Sequence, residues 1–153
     1  MDSTSIRVGV ISDTHDLLRE SAIEALQGVD HILHVGDVCS PGILEDLRGI
    51  APLTTVCGNM DRFMDLPQEE VIELAGCWIL MIHNLEHLDI EPSGRFQVVL
   101  HGHTHKPDVR EKKDVLYFNP GSAGPRRGQL PVSLGYLDIS EGKAQAQWIE
   151  IEA

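Results

Sequence analysis

Short apolar runs alternate with amphipathic segments in the first part of the chain. Three of the runs have the length and composition of buried strands; they are Ile6–Ile11, Val29–Val35 and Pro52–Cys57. A helix is predicted from about Asp16 to Gln27, where apolar residues recur at helical spacing. A second helix is predicted from Ser40, as N-cap, to Gly49, with Pro41 at its first position. Strands alternating with helices favour parallel pairing in an α/β layer.

The chain after Pro67 has a mostly β pattern. The strands predicted there are Val71–Leu74, Trp78–His83, Phe96–His101, Val115–Phe118, Val132–Ile139 and Ala144–Ile151. The first two flank a hairpin turn at residues 75–77. No linker or repeat divides the chain, so residues 1–153 are predicted to form one domain. Two facing sheets with helices outside would bury both sets of apolar residues.

Composition and charge narrow the classes of function. The chain carries 24 acidic and 12 basic residues, a net charge of −12. Long nucleic acid is not expected as a partner, because neutralising its phosphates needs clustered Lys and Arg. No membrane association is expected, since no apolar run approaches the roughly 20 residues that cross a bilayer.

Met1–Ser5 lacks the pattern of a secretory signal, and Cys39, Cys57 and Cys77 show no CxxC spacing. A cytoplasmic protein with free, mostly buried thiols is expected.

Residues that can bind a metal follow directly after five predicted strands. They are Asp13 and His15, Asp37, Asn59, His83, and His103 and His105. Ligands bind at the carboxyl edge of open α/β sheets, because strand ends converge there. In an extended Asp-x-His or His-x-His, residues i and i+2 point the same way and are expected to reach one cavity. Gly36, Gly58 and Gly102 are expected to allow close approach or sharp turns of the backbone.

The types of ligand indicate which metals the site would bind. Carboxylate, imidazole and amide together suit Mn²⁺, Fe, Co²⁺ or Zn²⁺ better than an all-oxygen Mg²⁺ or Ca²⁺ site. Seven ligands exceed what one tetrahedral ion uses. They fit two ions that share a carboxylate at a separation of about 3.5–4 Å.

The ordered set DxH, GD, GNxD, H, GHTH and NPGS, from Asp13 to Ser122, resembles the calcineurin-like metallophosphoesterase superfamily, and specifically its small single-domain prokaryotic phosphodiesterases. The resemblance implies a four-layer α/β/β/α sandwich, with two mixed sheets flanked by helices. It also implies a binuclear centre, with Mn²⁺ as the first expectation and Ni²⁺, Zn²⁺, Fe or Co²⁺ as alternatives. One ion would be held by Asp13, His15 and His105 and the other by Asn59, His83 and His103, with Asp37 bridging.

The activity expected from the resemblance is hydrolysis of small or nucleotide-like phosphodiesters. Two cations would lower the pKa of a bridging water and present it as hydroxide to phosphorus. The residues expected to act in catalysis are Asp37, Asn59 and His83 among the ligands, together with Asp61. The carboxylate of Asp61 is expected either to orient a histidine or to cap a turn. Small enzymes of this group suggest a homodimer or homotetramer.

Two positions depart from the superfamily pattern. Met60 stands where larger phosphatases of the superfamily carry a histidine that assists the leaving group, so good leaving groups such as aryl oxides are expected to react best. Asn84 replaces the glycine of the usual His-Gly pair, which is expected to alter the local turn. Beyond the NPGS segment, Arg126 or Arg127 either contacts a phosphoryl oxygen or belongs to a surface loop.

Other chemically capable residues are given structural interpretations. His34 and His101 lie within predicted strands and are expected to have backbone partners, whereas His31 and His87 are expected at the surface. A basic cluster beside the His-rich segment is better explained as a solvated hairpin than as a nucleic-acid patch; it comprises Lys106, Arg110, Lys112 and Lys113.

Two other functions stay open beside the phosphodiesterase. One is a metal-binding interaction scaffold, because the same fold serves as a scaffold in a eukaryotic retromer subunit whose metal site is incomplete. The other is a nuclease or cyclic-nucleotide phosphodiesterase. The complete ligand set favours the enzyme, and the acidic composition argues against long polynucleotides but not against a cyclic nucleotide.

Overall fold

The computed structural model describes residues 5–61 and 63–153. The strands in chain order are β1 (Ile6–Ile11), β2 (His31–His34), β3 (Leu53–Thr55), β4 (Glu69–Leu74), β5 (Cys77–Ile82), β6 (Val98–Leu100), β7 (Asp108–Lys112), β8 (Val115–Asn119), β9 (Ser133–Ser140) and β10 (Lys143–Glu150). The helices are α1 (Glu20–Ala25) and α2 (Pro41–Arg48), and a 3₁₀ turn spans Leu85–His87. The predicted domain of residues 1–153 includes residues 1–4 and Arg62, which lie outside the described part.

The strands form two mixed five-stranded sheets. The first has the order β10-β9-β1-β2-β3, in which β1, β2 and β3 are parallel and β9 and β10 are antiparallel additions. The second has the order β4-β5-β6-β8-β7, in which β5, β6 and β8 are parallel and each edge strand is antiparallel. Because the parallel strands of each sheet run the same way, their carboxyl ends meet at one edge.

Apolar side chains from both sheets form the central layer between them. The largest buried residues of this layer are Leu33 and Leu137 from the first sheet, and Ile79, Met81, Leu100 and Phe118 from the second. The ring of Phe118 lies against the backbone of Gly135, where an added Cβ would overlap it. The predicted pair of facing sheets is therefore confirmed.

The outer layers differ between the two sheets. Helices α1 and α2 cover the first sheet, where Leu26 and Leu47 pack in one cluster with Leu134. The outer face of the second sheet is covered by the 3₁₀ turn and the loop after it, through Leu85 and Leu88. The fourth layer is thus thinner than the predicted sandwich implies, because the described connection from β5 to β6 forms one 3₁₀ turn and no α-helix. Neither helix of the described residues is long and apolar enough to cross a membrane.

The first helix is shorter than predicted. It spans Glu20–Ala25 rather than about Asp16 to Gln27. Asp16 has a φ of 65°, which a right-handed helix does not accommodate, and its backbone N–H donates to Val38 O at 2.9 Å. The second helix matches its prediction, since Ser40 Oγ accepts from Gly42 N at 3.2 Å as its N-cap.

Phe118→Ala is expected to lower the free energy of unfolding by about 3–5 kcal/mol, because the fully buried ring leaves a cavity between the sheets. Urea denaturation followed by circular dichroism measures the loss. Trp148→Ala is the control, since that side chain is 40% exposed and its removal is expected to cost clearly less. Equal losses in the two variants would contradict the burial of Phe118 between the sheets.

Candidate metal centre

The loops that carry the predicted ligands leave the same edge of the two sheets, and the structure brings all seven residues together. Strand β1 is followed by Asp13 and His15, β2 by Asp37, β3 by Asn59, β5 by His83, and β6 by His103 and His105. Two overlapping groups have ligand atoms within 4.8 Å of one another: Asp13, His15 and His105, and Asp13, Asp37 and His83. Asn59 and His103 join the second group through His83.

The carboxylate of Asp13 is completely buried at the centre of the cluster. Its Oδ2 accepts hydrogen bonds from Ser12 Oγ at 2.6 Å and from His103 N at 3.1 Å. Its Oδ1 has no hydrogen-bond partner among the described residues. This oxygen instead faces the Nε2 atoms of His105, His15 and His83 at 3.4, 3.7 and 3.8 Å. One oxygen thus anchors the loop while the other is left for a ligand.

Asp37 lies between the two halves of the cluster. Its Oδ1 accepts from Met60 N at 2.9 Å. Its Oδ2 lies 3.3 Å from His83 Nε2 and 3.5 Å from His15 Nε2. Asp37 therefore lies near one histidine from each group, whereas Asp13 is the carboxylate that belongs to both groups.

The Nε2 atoms of His15, His83 and His105 point into the site. The Nδ1–H of His83 donates to Val35 O at 2.8 Å, which leaves its Nε2 lone pair available, 3.1 Å from Asn59 Oδ1. The ring centroids of His83 and His103 are 5.3 Å apart. The Nε2 atoms of His15 and His105 are 3.3 Å apart, and two lone pairs at that separation repel unless a proton or a cation lies between them.

The buried carboxylates and the imidazoles shift one another's pKa values. Burial raises the pKa of Asp13, but the attraction of the His105 and His15 rings outweighs it, and the pKa falls below its ordinary value. Burial also raises the pKa of Asp37, but His83 and a backbone N–H lower it more. The nearby carboxylate of Asp13 raises the pKa of His15. Burial lowers the pKa of His83, but Asp37 and Asp13 raise it more. The carboxylates thus favour positive charge beside them, and the histidines favour the ionised carboxylates.

The backbone is left-handed at five of the seven ligands. The φ angles are 56° at Asp13, 46° at His15, 59° at Asp37, 74° at His103 and 66° at His105. Such angles are costly for residues with side chains and persist where hydrogen bonds impose them. Asp13 N donates to Gly36 O and His15 N to Asp37 O, both at 2.9 Å. The expectation of extended Asp-x-His and His-x-His segments is wrong, although the side chains do converge.

Gly58 and Gly102 allow the close approach predicted for them. A Cβ at Gly58 would overlap the backbone nitrogen and the carboxylate of Asp37. A Cβ at Gly102 would overlap Ser12 Oγ and lie 2.8 Å from Asp13 Oδ2. Each central carboxylate therefore lies directly against the glycine backbone of a neighbouring loop, and a larger residue there would displace it.

Asp61 ties the loop after β3 to the loop after β2. Its buried carboxylate accepts from Val38 N and Gly58 N, both at 3.0 Å, and from Cys39 N at 2.8 Å. All three donors are backbone amides. These contacts match the predicted turn cap, and they do not match a carboxylate that orients a histidine.

His34 supports the same loops from within the sheet. Its Nδ1 accepts from Gly36 N at 3.1 Å, which confirms the expected backbone partner. Its Nε2 lies 3.1 Å from Thr14 Oγ1, which donates to Val38 O at 3.3 Å. Burial lowers the pKa of His34 to about 4, so the ring is neutral at physiological pH. The sequence pattern marked neither Thr14 nor this role of His34.

The NPGS segment supports both sheets' loops. Ser122 Oγ donates to Asp13 O at 3.0 Å. Asn119 Nδ2 donates to Gly102 O at 3.2 Å and to Thr104 Oγ1 at 3.0 Å. By composition this segment is an ordinary turn, so the family resemblance was the only feature of the sequence that indicated its role at the site.

Three of the histidines outside the ligand set lie in different surroundings. His87 is exposed, as predicted. His31 is half-buried rather than at the surface, with its Nε2 3.0 Å from Thr54 Oγ1. The expected partner of His101 is not found, because its buried Nε2 has no hydrogen-bond partner in the described part of the chain. His101 lines a groove of about 540 Å³ on the outer face of the second sheet.

The basic cluster and the arginines beyond the NPGS segment occupy the surface. Strands β7 and β8 pair antiparallel, which confirms the predicted hairpin, and Arg110 Nε lies 2.8 Å from Asp108 Oδ2. Arg126 is 3.9 Å from Glu150, away from the cluster's hydrogen bonds. Arg127 is exposed, but its charge lowers the pKa of His15 in opposition to the dominant effect of Asp13.

Cys39 and Cys77 are free thiols, as predicted, but only Cys77 is fully buried; Cys39 and Cys57 are half-buried. Cys39 Sγ lies 3.8 Å from His15 Nδ1, a proximity that the sequence pattern did not indicate. Burial, helped by Asp61 and Asp37, raises the pKa of Cys39 to about 11. The thiol therefore stays protonated and is not a thiolate ligand in this state.

Comparison with known proteins identifies the family. Residues 6–142 match the calcineurin-like phosphoesterase superfamily domain, and the chain belongs to that superfamily. It is 36% identical over 163 residues to a probable metallophosphoesterase of Methanothermobacter thermautotrophicus, covering 95% of this chain and 93% of the relative. It is 42% identical over 155 residues to the phosphodiesterase YfcE of Escherichia coli, covering 83% of this chain and 84% of the relative.

The fold is shared with proteins of another kind. Vps29 of Chaetomium thermophilum matches this chain with a TM-score of 0.77 and 18% identity, covering 95% of each chain. At that identity the match shows the fold alone, and the two-sheet architecture is therefore not by itself evidence for phosphoester hydrolysis.

Asp61→Asn is expected to lower the free energy of unfolding by about 1–3 kcal/mol, because an amide NH₂ group would face a backbone N–H and leave it unsatisfied. Urea denaturation of metal-free protein measures this. Asp138→Asn is the matched control, since Asp138 pairs with Arg7 at the surface and its loss is expected to cost less than about 1 kcal/mol. An Asp61 variant as stable as the control would refute the proposed loop anchor.

The buried His34 is expected to make stability pH-dependent. Its folded-state pKa of about 4 lies below the ordinary value of 6.5, so between these pH values the unfolded chain binds a proton that the folded chain excludes. Stability from this group is complete above pH 6.5 and is lost by up to about 3 kcal/mol as pH falls towards 4. Urea midpoints of metal-free wild type and His34→Gln across this range measure the effect. Parallel curves for the two proteins would contradict it.

Proposed function

We propose that this phosphoesterase is a two-metal phosphodiesterase acting on small or nucleotide-like phosphodiesters. The observation that carries the proposal is Asp13 Oδ1, a buried carboxylate oxygen without a hydrogen-bond partner among the described residues, which faces the Nε2 atoms of three histidines. A buried anion is costly unless a positive charge compensates it. A divalent cation bound by the same nitrogens would provide that charge.

The residues of the site fit two ions, and the proposed assignment is the one that the family resemblance implies; its first ligand set is also a group of the structure. One ion would be held by Asp13, His15 and His105 and the other by Asn59, His83 and His103, with Asp37 shared. Bound divalent ions would lower the pKa of a water molecule and neutralise charge on the phosphoryl oxygens. Mn²⁺ is proposed first, and Ni²⁺, Zn²⁺, Fe and Co²⁺ suit the same mixture of carboxylate, imidazole and amide donors.

The chain's own residues would orient the reacting groups. The Val35 carbonyl fixes the tautomer of His83, and Met60 N–H holds Asp37 Oδ1, so both side chains are positioned before a substrate arrives. Arg127, which is close enough to influence the pKa of His15, would attract an anionic diester from solution.

Met60 limits the chemistry at the leaving group. Its side chain is 54% exposed, and its thioether carries no proton that could be donated. The ester must therefore have a good leaving group, such as an aryl oxide, or its leaving oxygen must receive a proton from another residue.

Metal-stripped protein is expected to hydrolyse bis(4-nitrophenyl) phosphate only after a divalent ion is restored. Mn²⁺, Ni²⁺, Zn²⁺ and Mg²⁺ would be added separately, and 4-nitrophenyl phosphate would give the diester-to-monoester ratio. Asp37→Asn is expected to lower kcat/KM for the diester by at least about 100-fold, because a neutral amide replaces the negatively charged ligand that the two ions would share. Isothermal titration calorimetry is expected to show two ions per chain in the wild type and fewer in the variant.

Asp138→Asn serves as the matched control, because it removes an exposed carboxylate that pairs with Arg7 and is expected to retain activity. Metal-independent turnover, or an Asp37 variant as active as this control, would contradict the proposal. Tight binding of two ions without turnover of either ester would instead favour a binding module. The fold shared with Vps29 is the observation that favours this second candidate.

A further inference from the structure

A small pocket opens beside the half of the metal centre formed by Asn59, His83 and His103. Its volume is about 180 Å³. A cavity of about 150 Å³ admits benzene, so this pocket has room for a single aromatic or sugar ring. A substrate phosphorus at the metal centre would place one ester substituent in it.

Few lining side chains can give a proton to a leaving oxygen. His83 donates its Nδ1–H to Val35 O, and both His83 and His103 are metal ligands in the proposed assignment. His87 lines the same pocket and is outside that ligand set. Imidazole is the side chain that ordinarily titrates near neutral pH, which makes it suitable for general acid catalysis.

The local sequence explains how His87 reaches the pocket. Asn84 begins the 3₁₀ turn, with its Oδ1 accepting from Glu86 N at 3.0 Å and its backbone carbonyl accepting from His87 N at 3.0 Å. Side chains three residues apart in a 3₁₀ turn lie on the same side. Asn84 and His87 accordingly both line the pocket. A glycine at position 84, as in the usual superfamily pattern, would lack the side-chain cap.

We propose that this pocket receives the leaving group and that His87 is its proton donor, which supplies the function that Met60 cannot. The inference rests on the proposed phosphodiesterase function. The attacking water forms a bond from its oxygen to phosphorus and releases one proton to solvent, the bond from phosphorus to the leaving oxygen breaks, and the proton of the His87 imidazolium passes to that oxygen. The neutral imidazole then takes a proton from solvent.

The other lining residues indicate the class of leaving group. Gln68 and Asn84 offer amide donors and acceptors, and Glu69 offers a carboxylate that accepts from hydroxyl groups but repels anions. An uncharged alcohol with hydroxyl groups, such as a ribosyl or glyceryl group, suits this lining. A leaving group with a phosphate of its own does not.

The test compares two diesters that differ in leaving group, with Mn²⁺-loaded protein. His87→Gln is expected to lower kcat/KM for diphenyl phosphate by about 100-fold but to change bis(4-nitrophenyl) phosphate hydrolysis by less than about 3-fold, because the better leaving group needs no proton. Adding Met60→His to His87→Gln is expected to restore part of the diphenyl phosphate activity. His31→Gln is the matched control and is expected to affect neither diester, since His31 bonds to Thr54.

Two measurements do not depend on turnover. Ion stoichiometry and affinity in His87→Gln are expected to equal those of the wild type. Phenol added to the metal-free protein is expected to move the imidazole NMR signals of His87 and not those of His31.

The outcomes separate this inference from the proposed function. Equal losses on both diesters, or weakened ion binding in His87→Gln, would indicate a structural role and overturn the inference. An active wild type whose His87 signals do not respond to phenol would also overturn it. A wild type that hydrolyses neither diester while phenol still moves the His87 signals would overturn the proposed function and the proton transfer, but would support the pocket.

Discussion

The site depends on negative charge held where water cannot reach it. Asp13 is fully buried and Asp37 almost so, and neither carboxylate has an arginine or lysine beside it among the described hydrogen bonds and ion pairs. Imidazoles and backbone amides surround the two negative charges, but Asp13 Oδ1 is left without a hydrogen-bond partner among the described residues. A buried charge costs several kcal/mol when it is left without a partner. The surrounding loops can be understood as the means of keeping these two anions in place.

Those loops hold one another through hydrogen bonds, most of which involve backbone groups. Asp61 caps two of them, His34 joins the Asp13 and Asp37 loops while staying neutral, and Ser122 brings in the segment after β8. Glycine backbones lie against both carboxylates, so there is no space into which either could relax. Five ligands keep left-handed φ angles because this hydrogen-bond network outweighs the preference of residues with side chains for negative φ.

The sequence predicted the two sheets and brought the seven ligands to one edge, because apolar periodicity and the positions of strand ends are local signals. It failed where tertiary hydrogen bonds override local pattern. Leu17 and Leu18 fit a helical stripe, yet Asp16 bonds across to Val38 and the helix begins later. Strand β7 (Asp108–Lys112) is mostly exposed and charged, so a solvated hairpin was predicted there but not the bounds of the strand. The role of Asp61 could not be read from its type, since a carboxylate accepts equally from an imidazole or an amide.

The support of Asp13 also has a consequence for the order of folding. Its carboxylate accepts from a residue 90 positions away, and its carbonyl from one 109 positions away. Contacts so distant in sequence close large loops, which is entropically costly and slow relative to turns and helices. The site is therefore completed only when both sheets have formed and docked, and a nascent chain that lacks the segment after β8 also lacks the hydrogen bond from Ser122 to Asp13 O. A cation that met the chain earlier would find the same side chains without the arrangement that the two sheets impose.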